Sequence, residues 1–500
     1  MFKVTFIGAG SIGFTRALVR DLLSVPEFNK IELAFTDINQ QNLDMVTELC
    51  QRDITENNLK ITIQSTTDRR EALKGAKYVF NVIRVGGLEA FETDISIPLE
   101  YGVDQCVGDT LCAGGIMYGQ RGIPVMLSIC EDIKEVAHED CLLLNYANPM
   151  AMLTWICNEV GGVNTIGLCH GVQGGHKQIA DVFGLEKQEV DIVCAGINHQ
   201  TWYIQIKHKG EDLTGKLLEA FETHKEYSQT EKVRIDMLKR FGYYSTESNG
   251  HLSEYVPWYR KRENEIKDWI DLGSWINGET GGYLRVCTEG RNWFMDDFPN
   301  WLNDPALKYT EEERGEEHGS YILEALETGR VYRGHFNTIN QGTIGNLPAD
   351  AVIEAPGYVD RNGINMTQVG DLPLGCAAVC QVSISVQRLA VQAAITGDDQ
   401  LLRQAFMMDP LVGAVCTPPE IWQMVDDMLI AGERWLPQYA TSIKEAKRRI
   451  ETEPRLSTKK SEGAARLHVR SLEEMKQNAE EARKNAQEAD KAKDRPASTS

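Results

Sequence analysis

The chain has no Cys-x-x-Cys pair, no internal repeat, no surplus of positive charge and no apolar run near the ~20 residues of a membrane span. Each absence excludes something. Without closely paired cysteines, the twelve that are present (Cys50, Cys106, Cys112, Cys130, Cys141, Cys157, Cys169, Cys194, Cys287, Cys376, Cys380 and Cys416) read as reduced, buried thiols and not as a disulfide framework. Folding information starts at residue 2, so no signal peptide is expected, and the chain reads as soluble and cytoplasmic. Lys and Arg number 52 against 73 Asp and Glu, and the net charge of −21 argues against nucleic acid and anionic membrane as partners. A small-molecule substrate stays open, because one site can differ in sign from the whole.

What is present begins at once. Lys3 to Ile7 read as a short buried strand, and Gly8, Gly10 and Gly13 match G-x-G-x-x-G ahead of a helical pattern. Gly8 would make the tight turn, Gly10 let backbone approach a pyrophosphate, and Gly13 let the helix pack close to the strand. Ser11 and Ile12 complete the loop, and the helix N-terminus offers N–H groups to phosphates. Asp37 closes the second hydrophobic run, where an acid accepts hydrogen bonds from ribose hydroxyls and repels a 2′-phosphate. These six residues are therefore candidate cofactor ligands, with NAD expected over NADP. A glycine-rich turn without ligand is the bland alternative.

The first half alternates strand patterns (3–7, 31–36, 60–64, 78–84, 141–145, 164–168, 190–196) with helical ones such as 14–24, 40–56 and 151–159. That alternation predicts an α/β fold: a Rossmann-type domain over 1–197 with a parallel sheet, binding ligands beyond the carboxyl ends of its strands. A mixed α+β domain for substrate and oligomer contacts is expected over 198–465. In it, 278–304 reads as a long loop, 336–355 as short strands, and 376–405 and 418–432 as helices. The tail 466–500 reads as a charged, solvated helix with a disordered end at 495–500.

Four stretches after strands carry chemistry. Asn148, before Pro149, is held extended and can grip a substrate hydroxyl, or simply form a turn. Cys169, in Gly167-Leu-Cys-His170, and His199, in Gly196-Ile-Asn-His199, can converge on one transition metal with open positions for substrate. Each is equally at home as a core thiol or a satisfied imidazole. The segment Tyr243 to Tyr259 is dense in proton-transfer groups, but a tyrosine, with a reference pKa of ~10, serves as a base only beside a cation. An aromatic cluster packed on the sheet is the alternative.

Taken together, these pieces resemble glycoside hydrolase family 4, and within it the α-galactosidase branch. The matching segments are Phe6-Ile-Gly-Ala-Gly-Ser11, Asp109-Thr-Leu with Gly114-Gly-Ile-Met117, Asn145-Tyr-Ala-Asn-Pro-Met-Ala-Met152, Gly167-Leu-Cys-His170, Cys194-Ala-Gly-Ile-Asn-His199, Thr246-Glu-Ser-Asn-Gly-His251 with Glu254-Tyr255, and Met407-Met-Asp-Pro410. The resemblance implies a second domain of the lactate/malate dehydrogenase kind and a glycosidase that uses NAD catalytically. Hydride leaves C3 of the sugar, the C2 proton becomes acidic, the glycosidic oxygen leaves C1 by elimination, water adds, and the hydride returns. A divalent metal, Mn²⁺ by resemblance, acts as Lewis acid. Cys169 and His199 fall on the family's metal ligands and Asn148 on its substrate-gripping Asn. Tyr255 is the best match for the base, with Tyr243, Tyr244 and Tyr259 as alternatives.

Members acting on 6-phosphosugars have Asp where this chain has His170. The resemblance therefore implies a non-phosphorylated α-glycoside, with His170 as the candidate leaving-group acid. Cys112-Ala113 also departs, standing where the compared α-galactosidases have Gly-Pro. A homodimer or homotetramer is implied. An α-glucuronidase or α-galacturonidase would need Arg84, Arg121 or Arg234 near C6 of the sugar. Readings of other classes are a 2-hydroxy-acid dehydrogenase and a non-catalytic NAD-binding regulator.

Overall fold

The computed structural model describes residues 2–493, with side chains to 482. Its strands are β1 (Lys3–Ile7), β2 (Glu32–Thr36), β3 (Ile63–Thr66), β4 (Tyr78–Asn81), β5 (Leu142–Asn145), β6 (Thr165–Gly167), β7 (Val190–Ile197), β8 (Gln200–His208), β9 (Glu211–Asp212), β10 (Tyr244–Ser245), β11 (Tyr332–Ile339), β12 (Val352–Asp360) and β13 (Gly363–Met366). The first six run parallel in the order β3–β2–β1–β4–β5–β6, the order of dinucleotide-binding sheets. The same sheet continues antiparallel through β11, β12, β7, β8 and β10.

Period-two alternation drives both cores. Val4 and Phe6, Tyr78 and Phe80, and Leu142 and Leu144 bury against the helices Ile12–Leu23 and His318–Thr328. Ile7, Val79 and Leu143 face the opposite way, onto the helices Cys112–Val136, Leu374–Thr396 and Pro418–Ala431. Asn81, Asn145 and Gly167 share a register row, and Asn81 Nδ2 donates to Asn145 Oδ1 at 2.8 Å. The parallel strands therefore end level, and the residues that follow them meet at one edge.

Several expectations change. The strand expected at 190–196 is present as β7 but runs antiparallel to β8 and β12. The short strands expected over 336–355 are parts of the long antiparallel pair β11 and β12. The stretch 278–304 is mostly helix, Gly282–Asn303. Gly281, at φ +63°, and Gly282 open the helix, and Phe294, Phe298 and Trp301 at i, i+4 and i+7 share one face.

Contrary to the expectation of no run near membrane length, helix Leu374–Thr396 has an 18-residue window of mean hydropathy 1.4, long and apolar enough to cross a membrane. Half of that window is buried, and the helix packs on Cys112–Val136 in the core. The tail helix Leu472–Lys493 is not merely solvated at its start, since Met475 is buried and Lys476 pairs with Asp296 at 3.1 Å. The end expected to be disordered, 495–500, lies outside the described residues. All twelve cysteines are free thiols.

Cys112 adopts the left-handed φ of +60°, a conformation that favours glycine. The buried Asp409 carboxylate holds it by accepting from Cys112 N at 3.0 Å, and also accepts from Leu411 N and Val412 N, capping the next helix. Replacing Asp409 with Ala orphans three buried N–H groups. Urea unfolding of Asp409→Ala is expected to show a loss on the order of 3 kcal/mol.

Candidate active site

The glycine-rich turn follows β1 directly. Gly8 has φ +84°, and a Cβ there would lie 2.9 Å from the backbone N of Ile83. Gly8 N and Ala9 N donate to Thr36 O, and Gly10 N donates to Asp37 Oδ2 at 2.9 Å. Asp37 thus ties the glycine loop to the end of β2. Ser11 and Gly13 are exposed, and the Ser11 side chain does not cap helix Ile12–Leu23, so its first N–H groups lack a side-chain partner. The expected role of Gly13 in close helix packing is not seen. A Cβ at Gly13 would meet nothing within 4 Å, because that position opens outward from the loop.

Past the ends of β5 and β6, and in the β7–β8 turn, side chains converge. One ligand atom each from Cys169, His199 and Glu247 lie within 4.8 Å of one another, as do those of Asp109, His199 and His251. His199 is common to both groups. It has φ +61°, its Nε2 faces Glu247 Oε2 at 2.8 Å, and its Nδ1 meets Thr110 Oγ1 at 2.9 Å. Asn148 Nδ2 donates to Asp109 Oδ2 at 3.0 Å, while its Oδ1 is buried without a partner. Thr110 Oγ1 lies 2.9 Å from Asp109 Oδ1, and the Arg84 guanidinium lies 3.5 Å from Asp109 Oδ2 above the Phe91 ring.

The charges of the cluster are set by each other. Burial pushes the His199 imidazole down, but Glu247 and Cys169 outweigh it and hold it well above the ordinary value. Burial pushes the Glu247 carboxyl up, yet His199 and His251 keep it well below the carboxylate range. The Cys169 thiol is pushed up to about 12, by burial first and Glu247 second. Burial takes His251 down to about 4. A thiol, an imidazole and a carboxylate gathered around a proton on His199 form a donor set suited to a transition cation, which would compete for the same lone pairs.

Tyr255 ends the helix Asn249–Tyr255, and its buried hydroxyl has no hydrogen bond of good geometry, with Thr110 beside it. Burial, then Glu254 and Asp109, keep it well above a phenol's ordinary value. The other tyrosines are committed elsewhere. Tyr244 donates to Gln178 at 3.0 Å, Tyr259 donates to Asp236 at 2.8 Å, and Tyr243 packs in the core beside β8. Next to Tyr255, the buried Glu254 carboxylate accepts from the backbone N of Cys106, Val107 and Gly108 at 2.6, 3.0 and 3.0 Å. Burial pushes it up to about 7 against those donors. A Cβ at Gly115 would lie 2.4 Å from the Thr110 carbonyl carbon, so glycine lets the Asp109–Thr110 loop lie on its helix.

His170 stands at the rim, its side chain 63% exposed and paired with Glu317 at 3.2 Å, which raises it to about 9. Two arginines considered for a sugar carboxylate are structural instead. Arg121 is buried against Asp94, and Arg234 donates to Ser245 O and Glu231. Of the three, Arg84 alone meets the cluster. Glu247, His251, Asp109 and Thr110 were not singled out from the residues. Glu247 and His251 fall inside the Tyr243–Tyr259 stretch dense in proton-transfer groups, while only the family motifs mark Asp109 and Thr110.

Fold and cluster together define a Rossmann-type protein with side chains that could hold a cation gathered at the edge of the sheet that also bears the glycine-rich turn. Models of the family 4 glycosyl hydrolases match residues 3–185, and models of that family's C-terminal domain match 194–412. The chain is 57% identical to an α-galactosidase of Rhizobium meliloti (strain 1021), over 96% of this chain and 98% of that one. It is 35% identical to an α-galactosidase of Bacillus subtilis (strain 168), over 88% of this chain and all of that one. A Thermotoga maritima 6-phospho-β-glucosidase, solved with manganese, NAD⁺ and glucose-6-phosphate, superposes with TM-score 0.71 at 22% identity, over 87% of this chain and 99% of that one. The chain belongs to glycosyl hydrolase family 4.

Arg121→Ala leaves Asp94 buried and unpaired. It is expected to cost on the order of 3–5 kcal/mol in chemical denaturation, a loss of stability and not of substrate affinity.

Proposed function

We propose that the protein is an NAD- and Mn²⁺-dependent α-galactosidase of the cytoplasm, working as a homo-oligomer on terminal α-galactosides. The observation that carries this reading is the meeting of Cys169, His199 and Glu247 at the sheet edge that bears the glycine turn, in a chain 57% identical to an α-galactosidase. When bound, NAD⁺ supplies a reversible hydride acceptor for the sugar's C3, and the divalent cation supplies Lewis-acid charge beside its hydroxyls.

The chain's own residues do the rest. Gly8, Gly10, Ser11, Ile12 and Gly13 present backbone to the pyrophosphate, and Asp37 faces the ribose. Cys169 and His199 would hold the cation, with Glu247 beside them. Asn148 Oδ1, buried and unpartnered, accepts from a sugar hydroxyl. Tyr255 Oη, buried without a good hydrogen bond, would take the C2 proton as the phenolate, after releasing its own proton to solvent under the charge of a bound cation that offsets Glu254 and Asp109. His170 hands a proton to the leaving oxygen from the open rim, where its exposure leaves room for an aglycone. A second reading, an α-galacturonidase, rests on Arg84, whose cation at 3.5 Å from Asp109 stands near enough to serve a sugar carboxylate.

Turnover of an α-galactoside in D₂O is expected to place deuterium at C2 of the released galactose. Tyr255→Phe is expected to lose that exchange and to lower kcat by on the order of 10²–10⁴-fold. Product with no label from an active wild-type enzyme would contradict the elimination.

A further inference from the structure

The C-terminal segment lies beyond both family-model matches, the second of which ends at residue 412, yet it reaches back to the root of the loop that carries Asp109 and Thr110. From Arg455, paired with Asp427 at 2.7 Å, the chain runs across helix Gly87–Glu100, where Lys459 N donates to Glu100 O at 2.8 Å. It then meets a buried node. The Asp104 carboxylate accepts from Ala464 N at 3.1 Å, from Thr280 Oγ1 at 2.8 Å and from the Arg260 guanidinium. Thr280 Oγ1 accepts from Ala465 N at 3.3 Å, and Thr280 N donates to Ala465 O at 2.9 Å. Further on, Arg470 clasps the buried Glu289 of helix Gly282–Asn303 at 2.6 Å.

The node stands at the root of the loop that reaches the cluster. Asp104 begins the run that Glu254 holds at Cys106, Val107 and Gly108, and that ends at Asp109 and Thr110. Those two residues contact Asn148 and His199. The segment after Thr280 grips the same run, with Gly281 N donating to Gln105 O at 2.7 Å and Tyr283 N to Cys106 O at 3.3 Å. Strap, node and loop form one continuous set of hydrogen bonds among buried groups. A carboxylate with three donors fixes its backbone far better than an exposed turn does.

We propose that the C-terminal strap, through Thr280 and Asp104, is a positioning element of the active site that fixes Asp109 and Thr110 against His199. Thr280 is a positioning residue, since it touches neither the cluster nor the candidate substrate residues. The proposal rests on the metal reading given above.

The test measures Mn²⁺ affinity of the full-length protein, with NAD⁺ present, from the free-ion EPR signal. It compares wild type, Thr280→Val and Thr280→Ser at a temperature where circular dichroism shows each to be folded. Thr280→Val keeps the side-chain volume and removes the hydroxyl. Its Mn²⁺ dissociation constant is expected to rise on the order of tenfold, as for other supports of metal ligands, and Thr280→Ser is expected to restore the wild-type value. A folded Thr280→Val protein with wild-type Mn²⁺ affinity would overturn the proposal. If Thr280→Val does not fold, Arg470→Ala decides, because it loosens the strap at a half-exposed point. A weaker dissociation constant supports the proposal and an unchanged one overturns it. Wild-type protein that takes up no Mn²⁺ would remove the metal reading itself, a failure distinct from that of the strap.

Discussion

The Glu254 carboxylate, fully buried, accepts three backbone N–H groups of the Cys106–Gly108 run. That single anchor joins two pieces of chain far apart in sequence. One is the short helix that carries His251 and Tyr255. The other is the loop that carries Asp109 and Thr110. Without it, the tyrosine and the groups around His199 would have no common frame. Losing a buried carboxylate leaves three donors unsatisfied, each on the order of 1–3 kcal/mol. The site is therefore built from parts that share their supports with the core.

The cluster's charges follow from the same closeness. Glu247 and His199 stabilise each other's charged forms at 2.8 Å, while Cys169, beside a carboxylate and out of water, keeps its proton. A divalent cation inverts that order, because it favours thiolate and neutral imidazole together. Metal uptake by this arrangement would thus release protons. The unpartnered atoms nearby, Tyr255 Oη and Asn148 Oδ1, are the kind of orphaned polar groups that a folded protein keeps where a ligand will complete them.

Much of this was legible in the order of residues along the chain. Short apolar runs mark β1, β2, β4, β5 and β6, and the residue types just after them announced the glycine turn, Asp37, Asn148 and Cys169, because a parallel sheet gathers those positions at one edge. The family motifs offer Tyr255 as the base, and packing commits Tyr244 and Tyr259 to other partners. The partners of His199 were harder to read. Thr110, Asp109 and Glu247 come from loops whose paths depend on Glu254, on Gly115 and on the strap, contacts between residues far apart in the chain. The helix Gly282–Asn303 hid behind its opening glycines, and the docking of the tail hid behind its charge, since Arg470 and Lys476 look solvated until Glu289 and Asp296 are placed.

On the proposed function, nucleotide and cation act together in bond cleavage, with no net oxidation. The direct measurement is hydrolysis of an aryl α-galactoside by protein stripped of NAD and divalent metal, with each added back alone and then together. Activity is expected only when both are present, with no accumulation of NADH as product forms. Full activity in the stripped protein would contradict that proposal.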